Sequence, residues 1–466
     1  MEPPTPLSES KLPKIPPGLG VRHVQALMTF FCLVLAYAMR VNLSVAIVAM
    51  TDNSSNSHYT EMPWDSSMKG VILSSFFWGY LILQVPAGEM ARRFGSKYLL
   101  FGAMMVCSLF TILSPIIAQN FSWTVFCATR VVQGLAQGFF YPSVNAFLAK
   151  WAPPLERNRI FSFVFLGTQA GTVLTLTVAG YLAGSSWGWP SIFYSTGLCG
   201  VLWAVVWLFV GADSPDSHPS ISDSEREYIN ESLVYTSAEN HKLKTPWKSI
   251  VTSVPLWALL ITQLGQNWGY WMFLTQLPNY FSHVLNFNIQ NNGLMTALPY
   301  LVMGMLTIVF SWIADYINAK EILTLNVSRK MWNSLAHYGG AAALLALPLV
   351  NSVSGAVILL TTAIAINAGT YTGYLTNPLD LAPNFAGLLM GFTNGFASIT
   401  AILAPTVTGL IVSDESSREQ WEVVFYITAG AFFVGNTVFI FFGSTDVQPW
   451  NQTSKDLNHV KNDFSE

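Results

Sequence analysis

Charge is what this chain has least of. Asp, Glu, Lys and Arg make up 10% of its 466 residues, against 52% hydrophobic ones, whereas soluble domains carry roughly 25% charged residues. The shortfall excludes a soluble protein and predicts a polytopic membrane protein. Cysteine is scarce as well. The four present, Cys32, Cys107, Cys127 and Cys199, all lie in apolar stretches and read as small buried side chains, not as a disulfide framework. Zinc-ligand spacing, a nucleotide-binding glycine loop and a His–Cys nucleophile constellation are missing. "GEMARRFGSK" has glycines and a lysine, but in the wrong order to cradle phosphates. An enzyme, a bound cofactor, a nucleic-acid partner and ATP as energy source are therefore not expected. The net charge of −3 is uninformative, because in such a chain location matters more than the sum.

Apolar sequence is abundant. Spanning a bilayer takes about 20 mostly apolar residues. Twelve segments meet that need, near 25–50, 70–90, 98–118, 122–146, 160–182, 190–211, 252–275, 292–313, 330–350, 354–376, 385–412 and 422–443. The second, fourth, seventh and tenth are weaker alone, being interrupted by Gly, Pro, Gln or Asn. The predicted fold is all-α: twelve transmembrane helices in two six-helix bundles. A cytoplasmic tail (1–20) precedes the first bundle (21–211). A cytoplasmic central loop (212–250) leads to the second bundle (251–443), and a second cytoplasmic tail (444–466) follows. The first 20 residues are polar and proline-rich, so no cleaved signal peptide is expected, and the first helix would itself direct insertion.

Lys and Arg placement predicts the orientation. With the N-terminus in the cytoplasm, 18 of the 22 basic residues fall on inner loops and tails, and only Lys69 and Arg418 fall outside. The two left over, Arg40 and Arg130, lie inside the membrane. The halves also resemble each other: a shift of 223 residues superposes Gly70 on Gly293, Ala91 on Ala314 and Lys97 on Lys320. Repeated six-helix halves are how many secondary transporters build a midplane site.

Arg40 lies about ten residues from the outer end of its helix and Arg130 about nine, which at 1.5 Å per residue puts both roughly 14–15 Å deep. No Asp or Glu lies in the interior of any segment; Glu89, Asp315 and Asp380 sit at cytoplasmic ends. One central arginine costs about 2.5–3.5 kcal/mol even on the lenient insertion scale. Two without counter-ions predict a water-filled cavity that receives an anion. The competing reading is a structural role with backbone carbonyls as partners. Arginine's planar fork matches carboxylate or phosphate oxygens two at a time. The surroundings agree: Arg130, Gln133, Gln137, Tyr141 and Asn145 form one polar stripe at helical spacing, Tyr37 and Ser44 flank Arg40, and Gln263, Asn267 and Tyr270 make a third stripe. His337, the one membrane histidine, reads as structural. Asn53 in "TDNSSNS" is the expected glycan acceptor.

The motifs "YAMRVNLSVAIVAM", "TRVVQGLAQG", "KWAPPLERNRI", "DLAPNFAGLLMGFTNG" and "DVQPW" together resemble the anion–cation symporter family of the major facilitator superfamily. That family includes sodium–phosphate cotransporters, sialin and vesicular glutamate transporters. The resemblance runs from about Val21 to Trp450 and is closest to the inorganic phosphate cotransporters. It implies that Arg40 and Arg130 match family arginines implicated in anion transport. It also places Gly88, Arg92, Arg93, Gly95 and Lys97 on the superfamily's gating loop. Arg92 stands where that loop usually has an acid, and Asp315 supplies an acid at the repeat-related place. Sialin-like members carry two glutamates and a histidine in segment four, tied to proton coupling. Here Gln133, Gln137 and Asn145 stand there, and none of the three titrates.

Moving one charge through 100 mV involves about 2.3 kcal/mol, so importing a divalent phosphate against roughly 60 mV costs about 2.8 kcal/mol. Uptake then requires cotransported cations; export of an organic anion does not. The expectation is a secondary active transporter, a sodium-coupled symporter of inorganic phosphate or a similar small anion. The alternative is a sodium-independent, voltage-driven or proton-linked organic anion transporter, and the remaining class is a non-transporting receptor or channel. Asn267, Thr393 and Asn394 are generic oxygen donors for sodium, with Asn394 also on the polar path, and no metal site is assigned. The expected partners are a small anion and the lipid bilayer, with the monomer as functional unit. The plasma membrane is the expected location, with lysosomal or vesicular membrane as alternatives.

Overall fold

The computed structural model describes residues 18–51, 61–153, 156–239, 245–382 and 385–451; Asn53 lies outside them. Twelve spans follow one another. The first three are α1 (Val21–Thr51), α2 (Ser66–Phe94) and α3 (Ser96–Asn120). The fourth is two helices, α4 (Trp123–Gln137) and α5 (Phe140–Trp151), and the fifth and sixth are α6 (Arg157–Ala183) and α7 (Pro190–Val210). Two helices lie in the central connection, α8 (Asp223–Glu239) and α9 (Trp247–Val251). Spans seven to nine are α10 (Val254–His283), α11 (Ile289–Ala319) and α12 (Leu325–Ala346). Span ten runs from α13 (Val353–Ala365) through 3-10 turns to α14 (Asn377–Leu381). Span eleven is α15 (Ala386–Ala397) with α16 (Thr400–Ile411), and span twelve is α17 (Arg418–Phe442).

Nine spans among the described residues are long and apolar enough to cross a bilayer by composition alone. The three that fall short are four, seven and nine. The second and tenth, weak in the sequence, clear that measure, and the ninth does not. Its Asn333 and His337 are fully buried, as is Gln133 in span four, so neighbouring helices screen from lipid the polar groups that lower the hydropathy. His337 sits with Nδ1 3.2 Å from the Asn333 carbonyl, and its buried Nε2 has no hydrogen-bond partner among the described residues.

Helices α1, α6, α2, α4, α3 and α7 pack among themselves, as do α10, α17, α16, α12, α11 and α13. The two bundles meet along α2 on α16 and α6 on α11. Glycine makes both seams possible. A Cβ on Gly70 would lie 2.7 Å from the Pro405 carbonyl oxygen, and one on Gly293 would lie 2.4 Å from that of Leu176. Gly70 and Gly293 are the residues superposed by the 223-residue shift, so the repeat marks equivalent backbone contacts on the face opposite the N-terminus.

Two local devices were not legible in the sequence. The central connection folds its polar helix α8 back onto α1: Glu225 accepts hydrogen bonds from the Val21 and Arg22 backbone amides at 2.9 and 3.1 Å. The buried Arg22 guanidinium pairs with Glu225 at 2.9 Å and with Glu156 at 2.8 Å. Between α2 and α3, Gly95 has φ +82°, a left-handed conformation that glycine adopts without strain. The next turn is capped by Asp213, whose carboxylate accepts from the Lys97 amide at 2.8 Å. Asp315, at the repeat-related loop of the second half, is exposed, as is Arg93, and Gly88 and Arg92 lie within the last turns of α2. The C-terminal stretch, which the sequence places in a tail from residue 444, docks on the second bundle as far as Asn451. The Gln448 amide donates to the Leu381 carbonyl at 2.8 Å, and Trp450 packs 6.1 Å from Phe385.

Candidate functional site

Arg40 and Arg130 line one cavity between the bundles. Helix α1 contributes Arg40, Val41 and Ser44, α2 contributes Leu73 and Phe77, and α4 contributes Arg130. From the second bundle α10 contributes Trp271, Leu274 and Thr275. Close approach of α2 to α4 sets this geometry. A Cβ on Gly79 would fall 2.0 Å from the Val131 carbonyl oxygen, and one on Gly134 would fall 1.8 Å from that of Phe76, so neither position admits a side chain at this spacing.

The two arginines are held differently. Arg40 is enclosed by aromatic rings: its guanidinium carbon lies 4.6 Å from the Tyr80 ring centroid, 4.7 Å from Tyr37, 5.3 Å from Phe76 and 5.9 Å from Trp271. Each desolvated cation–π contact of this kind is worth up to about 2 kcal/mol. Its Nε donates to Gln137 Oε1 at 3.2 Å, and its side chain also bonds Tyr80. No carboxylate among the described residues pairs with it. Arg130 is braced against α1. Its Nη1 donates to Gln133 Oε1 at 2.7 Å and to the Met39 carbonyl at 3.3 Å, and its Nη2 donates to the Arg40 carbonyl at 3.3 Å. Its buried Nε has no partner among the described residues. For Arg130 the carbonyl-partner geometry weighed against the anion reading is therefore present. The same side chain lines the cavity and fixes the backbone that carries Arg40.

Gln133 and Gln137 are fully buried and do not line this cavity. Gln137 donates to the Ala36 carbonyl at 2.9 Å while accepting from Arg40. Gln133 donates to Thr111 at 3.2 Å while accepting from Arg130. Each glutamine therefore orients one arginine. Tyr37 and Tyr141 share a hydroxyl–hydroxyl bond of 2.8 Å. Asn145 is exposed, away from this cavity. In the second bundle Gln263 donates to Asn394 at 3.3 Å, Asn267 is half-buried, and Tyr270 meets Trp271 and Tyr300 edge to face.

Sequence reasoning missed Tyr80, Phe76, Phe77 and Trp271, because an aromatic in an apolar helix reads as ordinary core. One signal was present: Phe76, Phe77 and Tyr80 cluster in "FFWGY", one turn from where a second helix must approach a buried cation. The two guanidinium groups and an apolar wall face a cavity of about 10 Å³, room for about one water in this conformation, so a larger group enters only when the bundles part.

The sequence profile of the Major Facilitator Superfamily matches residues 29–397. A Drosophila melanogaster protein named "Putative inorganic phosphate cotransporter" is 37% identical over 94% of this chain and 87% of its own length. Human vesicular glutamate transporter 2 is 34% identical over 93% of this chain and 76% of its own. Among solved structures, a bacterial homologue of the human lysosomal transporter Spinster shares the fold at TM-score 0.72 and 13% identity, covering 91% of this chain and 97% of that one. The xylose transporter of Escherichia coli does so at 0.68 and 14%, covering 94% and 99%. With two six-helix bundles, a buried arginine pair at their junction and these relatives, the chain belongs to the anion–cation symporter group of the major facilitator superfamily, a family of membrane transporters and not of enzymes.

Proposed function

We propose that this transporter carries a small anion by alternating access, as a sodium-coupled symporter of inorganic phosphate or a similar anion, with its N-terminal face in the cytoplasm. One observation carries the reading: Arg40 and Arg130 line a single cavity between the bundles with no protein carboxylate beside them among the described residues. A fixed positive pair in a low-dielectric site favours an anion and orders it without reorganisation. Arg40 holds the anion, Arg130 and Gln133 fix α1 beneath it, and Gln137 and the aromatic rings aim the guanidinium. Because α10 supplies the far wall, an occupant would touch both bundles, which is what coupling occupancy to rocking needs.

Uptake of labelled phosphate with external sodium replaced by choline tests the coupling. Sodium-dependent accumulation is expected. Arg40→Ala should abolish uptake at unchanged surface abundance, and unchanged uptake in that variant would remove Arg40 from the mechanism. A second reading, a sodium-independent organic anion carrier, is favoured by the apolar wall of Val41, Leu73, Phe77, Trp271 and Leu274. It predicts flux of a labelled organic carboxylate that persists in choline.

A further inference from the structure

The face opposite the N-terminus is closed by a charged contact that the site does not use. Lys69 enters from α2 and is buried. Its Nζ lies 2.6 Å from Glu415 Oε2, on the loop after α16. Ser66 donates to the other carboxylate oxygen at 2.7 Å, and His283, at the end of α10, places Nε2 3.3 Å from Oε2. Lys69 and Ser66 belong to the first bundle, and Glu415 and His283 to the second.

The loop that carries Glu415 is itself fixed to the second bundle. Trp421 Nε1 donates to the Glu415 carbonyl at 2.9 Å. Arg418 Nη2 donates to the carbonyls of Leu347, Pro348 and Val350 at 3.2, 3.0 and 2.7 Å. The ion pair therefore joins two rigid bodies and not two mobile loops. It lies over the α2–α16 seam, one residue from the Gly70 contact.

Helical spacing ties this contact to the site. Lys69, Leu73 and Phe77 fall four residues apart on one stripe of α2. Leu73 and Phe77 line the cavity, and Phe77 packs on Trp271 with ring centroids 4.5 Å apart. Moving α2 away from α16 to open this face must separate Lys69 from Glu415 and lift Phe77 from Trp271 together.

We propose that Lys69 and Glu415 form an inter-bundle latch that sets how readily the face opposite the N-terminus opens, and that they are positioning residues for the transport cycle which do not touch the anion. This rests on the alternating-access reading and adds to it where one of the two closures is held. The latch has to be weak enough to break each cycle and strong enough to hold while the opposite side is open. A buried pair does this, because opening returns both charges to water and so offsets part of the lost attraction.

The test is thiol labelling of the full chain carrying Leu73→Cys as reporter, since Leu73 is 4% exposed. A membrane-impermeant maleimide is applied to whole cells and, separately, to inside-out vesicles, and the chain without the added cysteine supplies the background. In whole cells, Lys69→Gln and Glu415→Gln are each expected to raise the labelling rate at least tenfold, a lower bound for the loss of one partner of a buried pair. The exchanged pair Lys69→Glu with Glu415→Lys is expected to bring it back toward the parent rate. An unchanged rate in both single variants overturns the latch. So does a lowered thermal midpoint with unchanged accessibility, which would mark the pair as merely structural. Labelling needs no substrate, so failure of the anion reading leaves this result interpretable, and a latch that fails leaves the flux assays untouched.

Discussion

Gln137→Glu replaces one side-chain nitrogen with oxygen and keeps the length. In the native chain Gln137 Oε1 accepts from Arg40 Nε at 3.2 Å, so the variant carboxylate would stand beside the guanidinium without moving any helix. It would also lose the donor that holds the Ala36 carbonyl at 2.9 Å, leaving a buried acceptor unpaired at a cost of about 1–3 kcal/mol. The larger consequence is electrostatic. A unit charge about 4 Å from another interacts by about 4 kcal/mol at an effective dielectric near 20. A built-in anion would thus cancel much of the attraction that Arg40 offers a cargo. Even half of that figure, about 2 kcal/mol, is roughly a 30-fold loss in affinity. Protonating the new carboxyl removes the competitor, so acid should restore binding. The assay is initial uptake of labelled phosphate against external pH, at matched surface abundance, for the native chain and the variant. The variant should be strongly impaired at neutral pH and recover as pH falls, with KM carrying most of the change. Native affinity at neutral pH together with a flat pH profile would refute the reasoning, because Arg40 would then not be sensing the charge at position 137.

Four further outcomes follow from other positions. Gly134→Ala, whose Cβ would lie 1.8 Å from the Phe76 carbonyl oxygen, should lower stability by at least the 1–3 kcal/mol typical of overpacking, read as a thermal midpoint of purified protein. Gly102→Ala, which meets nothing within 4 Å, should be neutral or slightly stabilising. Glu225→Ala leaves the buried Arg22 with Glu156 alone and removes the acceptor for two α1 amides, so limited proteolysis should cut the central connection faster while the spans stay intact. Burial pushes the Glu415 carboxyl up, but Lys69 and His283 outweigh it and hold the group below its ordinary value. A depressed carboxyl keeps its contribution at neutral pH and loses it only as pH falls through its own value, below about 4.3. Because the reagent reacts with thiolate, the Leu73→Cys rate is taken relative to an exposed control cysteine at the same pH. That ratio should not rise between about pH 7.5 and about pH 5, and a rise over that interval would contradict the assignment of the latch charge to Glu415.

The fold was legible because lipid imposes a length and an apolar character that nine of the twelve spans display outright among the described residues, and because the Gly70–Gly293 offset records a real backbone contact at both seams. The arginine pair was legible for the same reason: a charge without an acid stands out where charge is rare. What surrounds the pair was not. Tyr80 and Trp271 look like any apolar-helix aromatic until a guanidinium lies against them. Gln133 and Gln137 share a stripe with Arg130, but a stripe does not say whether a glutamine faces water or braces a neighbour, and here both are buried and bonded. Asp213 and Glu225 serve residues 116 and 203 positions away, a separation at which no local pattern could connect them.

The contact between Glu225 and the start of α1 carries a consequence for how the protein is made. Helix α1 begins with two amides whose acceptor is some two hundred residues downstream, beyond all six spans of its own bundle. Those two amides gain this acceptor only after residue 225 has been made, and until then water is what serves them. The N-terminal half is therefore sealed by the linker and not by its own last span, and a fragment ending at α7 would be a bundle with its first turn left uncapped.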